Sequence, residues 1–330
     1  MKLTMDRIRA VTTGASKVTY EDGRYHFFRF NDREMEVIDN INVSYTAGIQ
    51  MKFKTDSPLL KLKVHTEKAT DITSYFCFDI FVNGALAGCI QNLSDDARKG
   101  SYARLEYPLG SCYKEFWLGS GEKDVRIVFP HSVNAQIEEI ELVDASYVVP
   151  VKNEKTIVFY GDSITQGYDS LHPSKSYAAR LADALNAEAI NKALGGAVFG
   201  PELVENADVR NPDCIVVAYG TNDWNSVDLE SFIKNAKGFL CAIEKNYPGV
   251  PAFVITPIWR IDWNTTKKCG EFSILEDTIK EIFGHRENIT VISGFDLVPH
   301  DENLFGDLWV HPNDEGFAYY FSNLMKYFKE

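Results

Sequence analysis

The chain has 330 residues, 45% hydrophobic and 25% charged, a composition that excludes a disordered protein and leaves room for two domains with their own cores. Its formal net charge of -13 repels polyanions, which excludes nucleic acid and anionic membrane as partners held by charge. The opening MKLTMDRIR has no apolar signal core, and no stretch approaches the roughly 18 apolar residues of a membrane span, so a cytoplasmic location is expected.

In chain order, the first elements read as strands. Residues 24–30 (RYHFFRF), 48–54 (GIQMKFK), 59–65 (LLKLKVH), 75–82 (YFCFDIFV), 112–118 (CYKEFWL) and 125–129 (VRIVF) are short and rich in aromatic or β-branched side chains. Turn signals at Asn83-Gly84, Ser94-Asp95-Asp96 and Ser120-Gly121 separate them. Within 59–65 the run Leu-Lys-Leu-Lys-Val-His alternates strictly, as expected for a sheet with one wet face. Many short strands without a long helix predict an all-β domain over 1–150, a β-sandwich or jelly roll. The six cysteines show no CxxC or CxxH spacing, which argues against a zinc motif or a disulfide framework. Cys214 and Cys241 lie in apolar runs and read as reduced core residues.

The pattern changes near residue 150, with 145–155 as the linker and 151–330 as a second domain. Apolar strands at 156–160, 189–191, 214–219, 252–256 and 289–292 alternate with amphipathic helices at 177–185, 229–246, 274–283 and 316–328. That alternation predicts an α/β domain, a parallel sheet covered by helices on both faces. Ligands in such sheets gather at the carboxyl ends of the strands, so the residues just after each strand carry the most information.

Four segments occupy such positions. Gly161-Asp162-Ser163 follows the first parallel strand, and its serine would stand exposed at the sheet edge; taken alone it is also a helix start with Asp or Ser as cap. Gly195-Gly196 follows the second strand, where glycines let backbone N–H groups approach a ligand, although a plain turn needs no more. Gly220-Thr221-Asn222-Asp223 follows the third, with Asn222 as an amide donor and Asp223 bracing the loop. Near the C-terminus, Asn313 or Asp314 caps the last helix, which leaves His311 at a loop tip without a structural reason. The other histidines have polar-strand or turn contexts.

Together, Gly-Asp-Ser, Gly, Gly-x-Asn-Asp and Asp…His-Pro in this order resemble the sequence blocks of the SGNH (GDSL-like) hydrolases over roughly residues 155–330. The resemblance implies a flavodoxin-like three-layer α/β/α domain with Ser163 as nucleophile and His311 as general base. It also implies an oxyanion hole made by the Ser163 and Gly196 backbone N–H groups and the Asn222 amide. A hydroxyl needs an adjacent base at neutral pH, and each donor to a tetrahedral oxyanion is worth about 3–4 kcal/mol. One position departs from the family. An Asp three residues before the His is usual, but Leu308 stands there and Asp307 lies four before. Both spacings share a face on a tight turn, so Asp307 is expected to orient His311; the alternative is a Ser–His dyad with backbone carbonyl support.

The β-sandwich-plus-hydrolase layout resembles carbohydrate esterases that remove acetyl groups, which implies a small-molecule or oligosaccharide ester substrate. Trp309, Trp224 and Trp259 are the candidate substrate-binding aromatics. A lysophospholipase or acyl-thioesterase is the alternative within the fold, and a non-catalytic carbohydrate-binding protein is the alternative outside it. No cofactor or metal is expected, since no clustered His/Asp pattern is visible. Residues 1–150 leave three roles open: a wall of the site, glycan binding, or assembly into a homo-oligomer.

Overall fold

The computed structural model describes residues 1–39, 41–69, 74–93 and 106–328, so the turn expected at Ser94-Asp95-Asp96 lies outside the described residues. The alternation in the N-terminal half produces two antiparallel sheets. Their strands are β1 (Thr12–Thr13), β2 (Lys17–Glu21), β3 (Arg24–Phe28), β4 (Gln50–Thr55), β5 (Leu59–Glu67), β6 (Cys77–Val82), β7 (Ala85–Gln91), β8 (Gly110–Trp117), β9 (Lys123–Val128), β10 (Asn134–Val143) and β11 (Val148–Pro150). One sheet runs β1-β4-β9-β6-β7 with β11 on β4, and the other runs β2-β3-β10-β5-β8. Along β5, Leu60, Leu62 and Val64 point inward while Lys61, Lys63 and His65 do not, as the pleat requires. They meet Met51, Phe53, Ile80, Val125 and Ile127 of the facing sheet in one core. Two short helices, α1 (Met5–Val11) and α2 (Asp32–Val37), complete this half.

From residue 155 the apolar strands form a parallel sheet. These are β12 (Lys155–Gly161), β13 (Ala187–Asn191), β14 (Cys214–Ala218), β15 (Ala252–Ile255) and, after a small hairpin of β16 (Thr266–Lys267) and β17 (Gly270–Glu271), β18 (Ile289–Ile292). The order β13-β12-β14-β15-β18 is that of doubly wound flavodoxin-like sheets, whose switch point lies at the first strand. The helices are α3 (Ser163–Gln166), α4 (Tyr177–Ala184), α5 (Glu202–Glu205), α6 (Thr221–Ser226), α7 (Leu229–Asn246), α8 (Ser273–Phe283) and α9 (Asp314–Leu324). On one face α4 and α9 pack Leu181, Phe317, Tyr320 and Leu324 against the sheet, each such burial contributing about 1.5–3 kcal/mol. On the other, α7 and α8 cover it with Phe232, Phe239, Leu275 and Ile279. The architecture is therefore a three-layer α/β/α unit preceded by a β-sandwich. No helix among the described residues is long and apolar enough to cross a membrane.

Cys241 departs from the expectation of a core residue. It is exposed, because the buried face of α7 carries Phe232, Ala236, Phe239, Leu240 and Ile243, and position 241 is turned away from that stripe.

The two halves meet through buried polar groups. Arg29, just past β3, donates from Nε to the Tyr45 carbonyl (2.6 Å) and from Nη1 to those of Asn191 (3.1 Å) and Ala193 (2.8 Å). Burial lowers its pKa only to about 9, so the guanidinium stays charged at neutral pH. Lys192 donates to Glu34 of α2 (2.7 Å) and to the Arg29 carbonyl (2.7 Å), with both members of the ion pair fully buried. Gly48 lies so close to Asn191 that a Cβ there would stand 2.6 Å from the asparagine Cβ. The chain leaving β13 is thus gripped by the sandwich.

Candidate active site

Ser163 opens α3 at the carboxyl end of β12, with Asp162 as N-cap accepting from the Ile164 N–H (2.9 Å). Gly167 closes the short helix in the left-handed region. This sharp turn leaves the Ser163 Oγ 2.7 Å from His311 Nε2, across 148 residues of sequence.

His311 is held by its own turn. Asp307 Oδ1 accepts the backbone N–H groups of Trp309 (2.9 Å), Val310 (2.8 Å) and His311 (3.1 Å), which folds the segment around the carboxylate. Leu308, the residue at the position where the family's Asp usually stands, has φ +56° and projects to solvent. Asp307 Oδ2 then sits 2.8 Å from His311 Nδ1. Burial disfavours the charged carboxylate, but the bonds from His311 and the turn outweigh it and hold Asp307 at about 2. For His311, burial favours the neutral ring; the Asp307 hydrogen bond and the charges of Asp169, Asp307 and Asp162 more than offset this and raise its pKa above the usual 6.5.

The strand-end glycines are tied to this centre from both sides. Leu194 donates to the Gly161 carbonyl (3.0 Å), and the Gly195 N–H donates to Gln166 Oε1 (2.9 Å). Gln166 Nε2 in turn donates to the His131 carbonyl of the sandwich half (2.7 Å), and Asn42 Nδ2 donates to the Gly195 carbonyl (2.9 Å). Gly196 has φ +77°, a conformation that glycine adopts without strain. Asn222 Nδ2 donates to the Ala197 carbonyl (3.1 Å), which fixes its carboxamide beside the turn. Asp223 braces both loops, accepting from the Phe199 N–H and the Gly220 N–H, each at 3.1 Å. Burial pushes that carboxyl up to about 7.

Two of the three tryptophans are corrected by their burial. Trp224 is fully buried against Phe272 and donates its Nε1–H to the Gly270 carbonyl, so it is a packing residue. Trp259 is buried between His300 and Phe305 and offers no face to a ligand. Trp309 remains 37% exposed, two residues from His311. It rests on Arg260, whose guanidinium lies 5.0 Å from its ring and 5.1 Å from that of Trp224.

Sequence reasoning passed over Arg260, Gln166 and Asp169. Arg260 lies in the loop after β15 (Ala252–Ile255), where the strand-end rule could have found it. Asp169 is buried with its Oδ2 4.0 Å from His311 Nδ1, a position no local pattern announces. Asp169, Asp307 and His311 have ligand-type atoms within 4.8 Å of one another, but both ring nitrogens of His311 already face Asp307 and Ser163.

A hydroxyl against an imidazole braced by a carboxylate is suited to nucleophilic acyl chemistry. Comparisons agree with that chemistry. Residues 159–319 match the sequence profile of the GDSL-like Lipase/Acylhydrolase family. No curated protein matches by sequence. Among solved structures, the chain is similar to the salicylyl-acyltransferase SsfX3 from a tetracycline biosynthetic pathway, with TM-score 0.80 and 17% identity over 99% of this chain and 96% of that one. It is similar to a family two carbohydrate esterase from Clostridium thermocellum in complex with cellohexaose (TM-score 0.64, 18% identity, 86% of this chain and 92% of that one). It is also similar to an acetyl xylan esterase from the rumen bacterium Butyrivibrio proteoclasticus (TM-score 0.63, 17% identity, 100% of this chain and 98% of that one). The chain carries, in residues 159–319, a domain of the GDSL-like lipase/acylhydrolase family, and is an ester hydrolase.

Proposed function

We propose that the protein removes short acyl groups, acetyl above all, from carbohydrate esters through a Ser163 acyl-enzyme. The observation that carries this reading is the continuous chain Ser163 Oγ–His311–Asp307, at 2.7 and 2.8 Å. His311 takes the hydroxyl proton as Ser163 attacks the ester carbonyl, then gives it to the leaving sugar hydroxyl; water repeats the sequence to free the acid. The Ser163 and Gly196 N–H groups and the second N–H of the Asn222 amide receive the oxyanion. Similarity of fold to carbohydrate esterases supports a sugar ester.

Hydrolysis of p-nitrophenyl acetate against octanoate tests the acyl length. Turnover of acetate far above octanoate, followed by deacetylation of acetylated oligosaccharides, is the expected result. A preference for octanoate would overturn the reading in favour of a lipid or thioester substrate.

The similarity of the whole chain to an acyltransferase favours a second reading, transfer of the acyl group to an acceptor other than water. Product partitioning in the presence of a sugar alcohol separates the two, since a hydrolase yields acetate alone.

The raised pKa of His311 fixes the pH response. The base works only when neutral, so kcat/KM should fall as pH drops through a midpoint above 6.5. Asp169→Asn removes a negative charge that favours the protonated ring, and should move that acid limb to lower pH. A limb that stays in place would show that Asp169 does not act on His311.

A further inference from the structure

The β6–β7 hairpin carries a second cluster of reactive side chains. Its register pairs Asp79 with Cys89 and Cys77 with Gln91, so Cys77, Asp79 and Cys89 share one face. The other face bears Phe78, Ile80 and Ile90 and belongs to the sandwich core. The segment following α3 lies against the first face and brings in His172, which the sequence alone leaves as a turn residue.

The distances within the cluster have a specific meaning. Cys77 Sγ lies 3.5 Å from Asp79 Oδ1 and 3.8 Å from His172 Nδ1, and those two atoms are 2.7 Å apart. Tetrahedral zinc sets neighbouring sulfur–nitrogen and sulfur–oxygen pairs about 3.5 Å apart, and nitrogen–oxygen pairs about 3.3 Å apart. Two of the three separations are within a few tenths of those values, and the Asp79–His172 pair has only to open slightly.

We propose that Cys77, Asp79 and His172, whose ligand atoms lie within 4.8 Å of one another, joined by Cys89 from the paired strand, form a site for a zinc-class divalent cation that staples the β6–β7 hairpin to the segment after α3. Two sulfurs and an imidazole select zinc over the hard cations calcium and magnesium. Outer contacts already orient the donors. Asp79 Oδ2 accepts the Ser174 N–H (3.2 Å) and Oγ–H (2.6 Å), and Lys114 donates to the Cys89 carbonyl (2.9 Å). On binding, both thiols release their protons to solvent, and the Nδ1 proton that His172 donates to Asp79 leaves as well, so that the ring binds neutral with its remaining proton on Nε2; three anionic ligands and the dication leave a net charge of about -1. The staple would also steady Tyr168 and Asp169, which precede His172 and border His311. The proposal is independent of the ester reading.

The test uses the full-length reduced protein, stripped with chelator and titrated with Zn²⁺ and Co²⁺. The expected result is one equivalent of zinc bound tightly, and with cobalt a thiolate-to-metal charge-transfer band. The double variant Cys77→Ser/Cys89→Ser should lose the band and weaken zinc binding by at least about 100-fold, since loss of an outer-shell partner alone costs 10–100-fold. His311→Ala should keep both, which separates this cluster from the one around His311. In the unaltered protein, zinc should slow alkylation of Cys77 and Cys89 and leave the exposed Cys241 as reactive as before. Unchanged alkylation, cobalt without the charge-transfer band, or equal zinc affinity in the double variant would each overturn the site.

Discussion

Ser163→Ala is expected to lower kcat for an activated acetyl ester by about four to six orders of magnitude while the fold is kept. The hydroxyl is the atom to be acylated, and alanine leaves no side-chain nucleophile opposite His311 Nε2. The substitution removes one oxygen from a partly exposed side chain, so the far-ultraviolet dichroism and melting temperature should stay close to those of the parent. A variant that keeps its turnover would move the nucleophile elsewhere and remove the acyl-enzyme from the mechanism.

His311→Ala should cost nearly as much, because nucleophile and base act as a unit. The informative comparison is with Asp307→Asn. As a full third member Asp307 fixes the tautomer of the ring, and its loss is expected to lower kcat/KM by about 10⁴-fold. A dyad supported by a backbone carbonyl would lose far less. Asp307 also accepts three backbone N–H groups, so part of any loss would come from the turn itself. Asn keeps an acceptor for those donors and Ala does not, so Asp307→Ala falling further than Asp307→Asn measures the turn. Asp169, 4.0 Å from the same ring nitrogen, gives the series a second axis. If it supports the imidazole when Asp307 is absent, the double variant will lose more than the sum of the single losses.

The fold was legible where local pattern and tertiary role coincide. Residues 60–65 alternate because one face of β5 is wet, and the inner parallel strands β14 and β15 are apolar throughout because both faces are covered. The longest strand, β10, went unread. A register shift between Ile137 and Glu139 breaks its alternation, and its glutamates mimic a surface helix. β7 was missed because Ala-Leu-Ala-Gly-Cys lacks the branched and aromatic residues that mark a strand.

At the site, residues that sit directly after strands could be found, since chain order places them on one sheet edge. Asp169 could not, because its relation to His311 exists only once α9 has docked. The Cys77, Asp79, Cys89 and His172 cluster is harder still. Its members span 95 residues and two halves of the molecule, so no spacing rule joins them. Trp224 and Trp259 show the reverse error: their positions after strands were informative, but the size of an indole made core packing the stronger demand.

The grip of Arg29 and Asn42 on the chain leaving β13 is made almost entirely to main-chain carbonyls, those of Asn191, Ala193 and Gly195. Carbonyl groups are the same whatever side chain they belong to. The seam therefore reads the backbone path on the hydrolase side rather than its side chains, although the full burial of Ala193 still restricts that position to a small residue. On the sandwich side the tolerance vanishes, because only a guanidinium supplies a forked set of donors at that depth. The constraint across this boundary is therefore of two kinds: beside the reactive serine it falls on the backbone path, which small buried Ala193 and Gly196 at φ +77° preserve, while on the sandwich side it falls on one side chain, the guanidinium of Arg29.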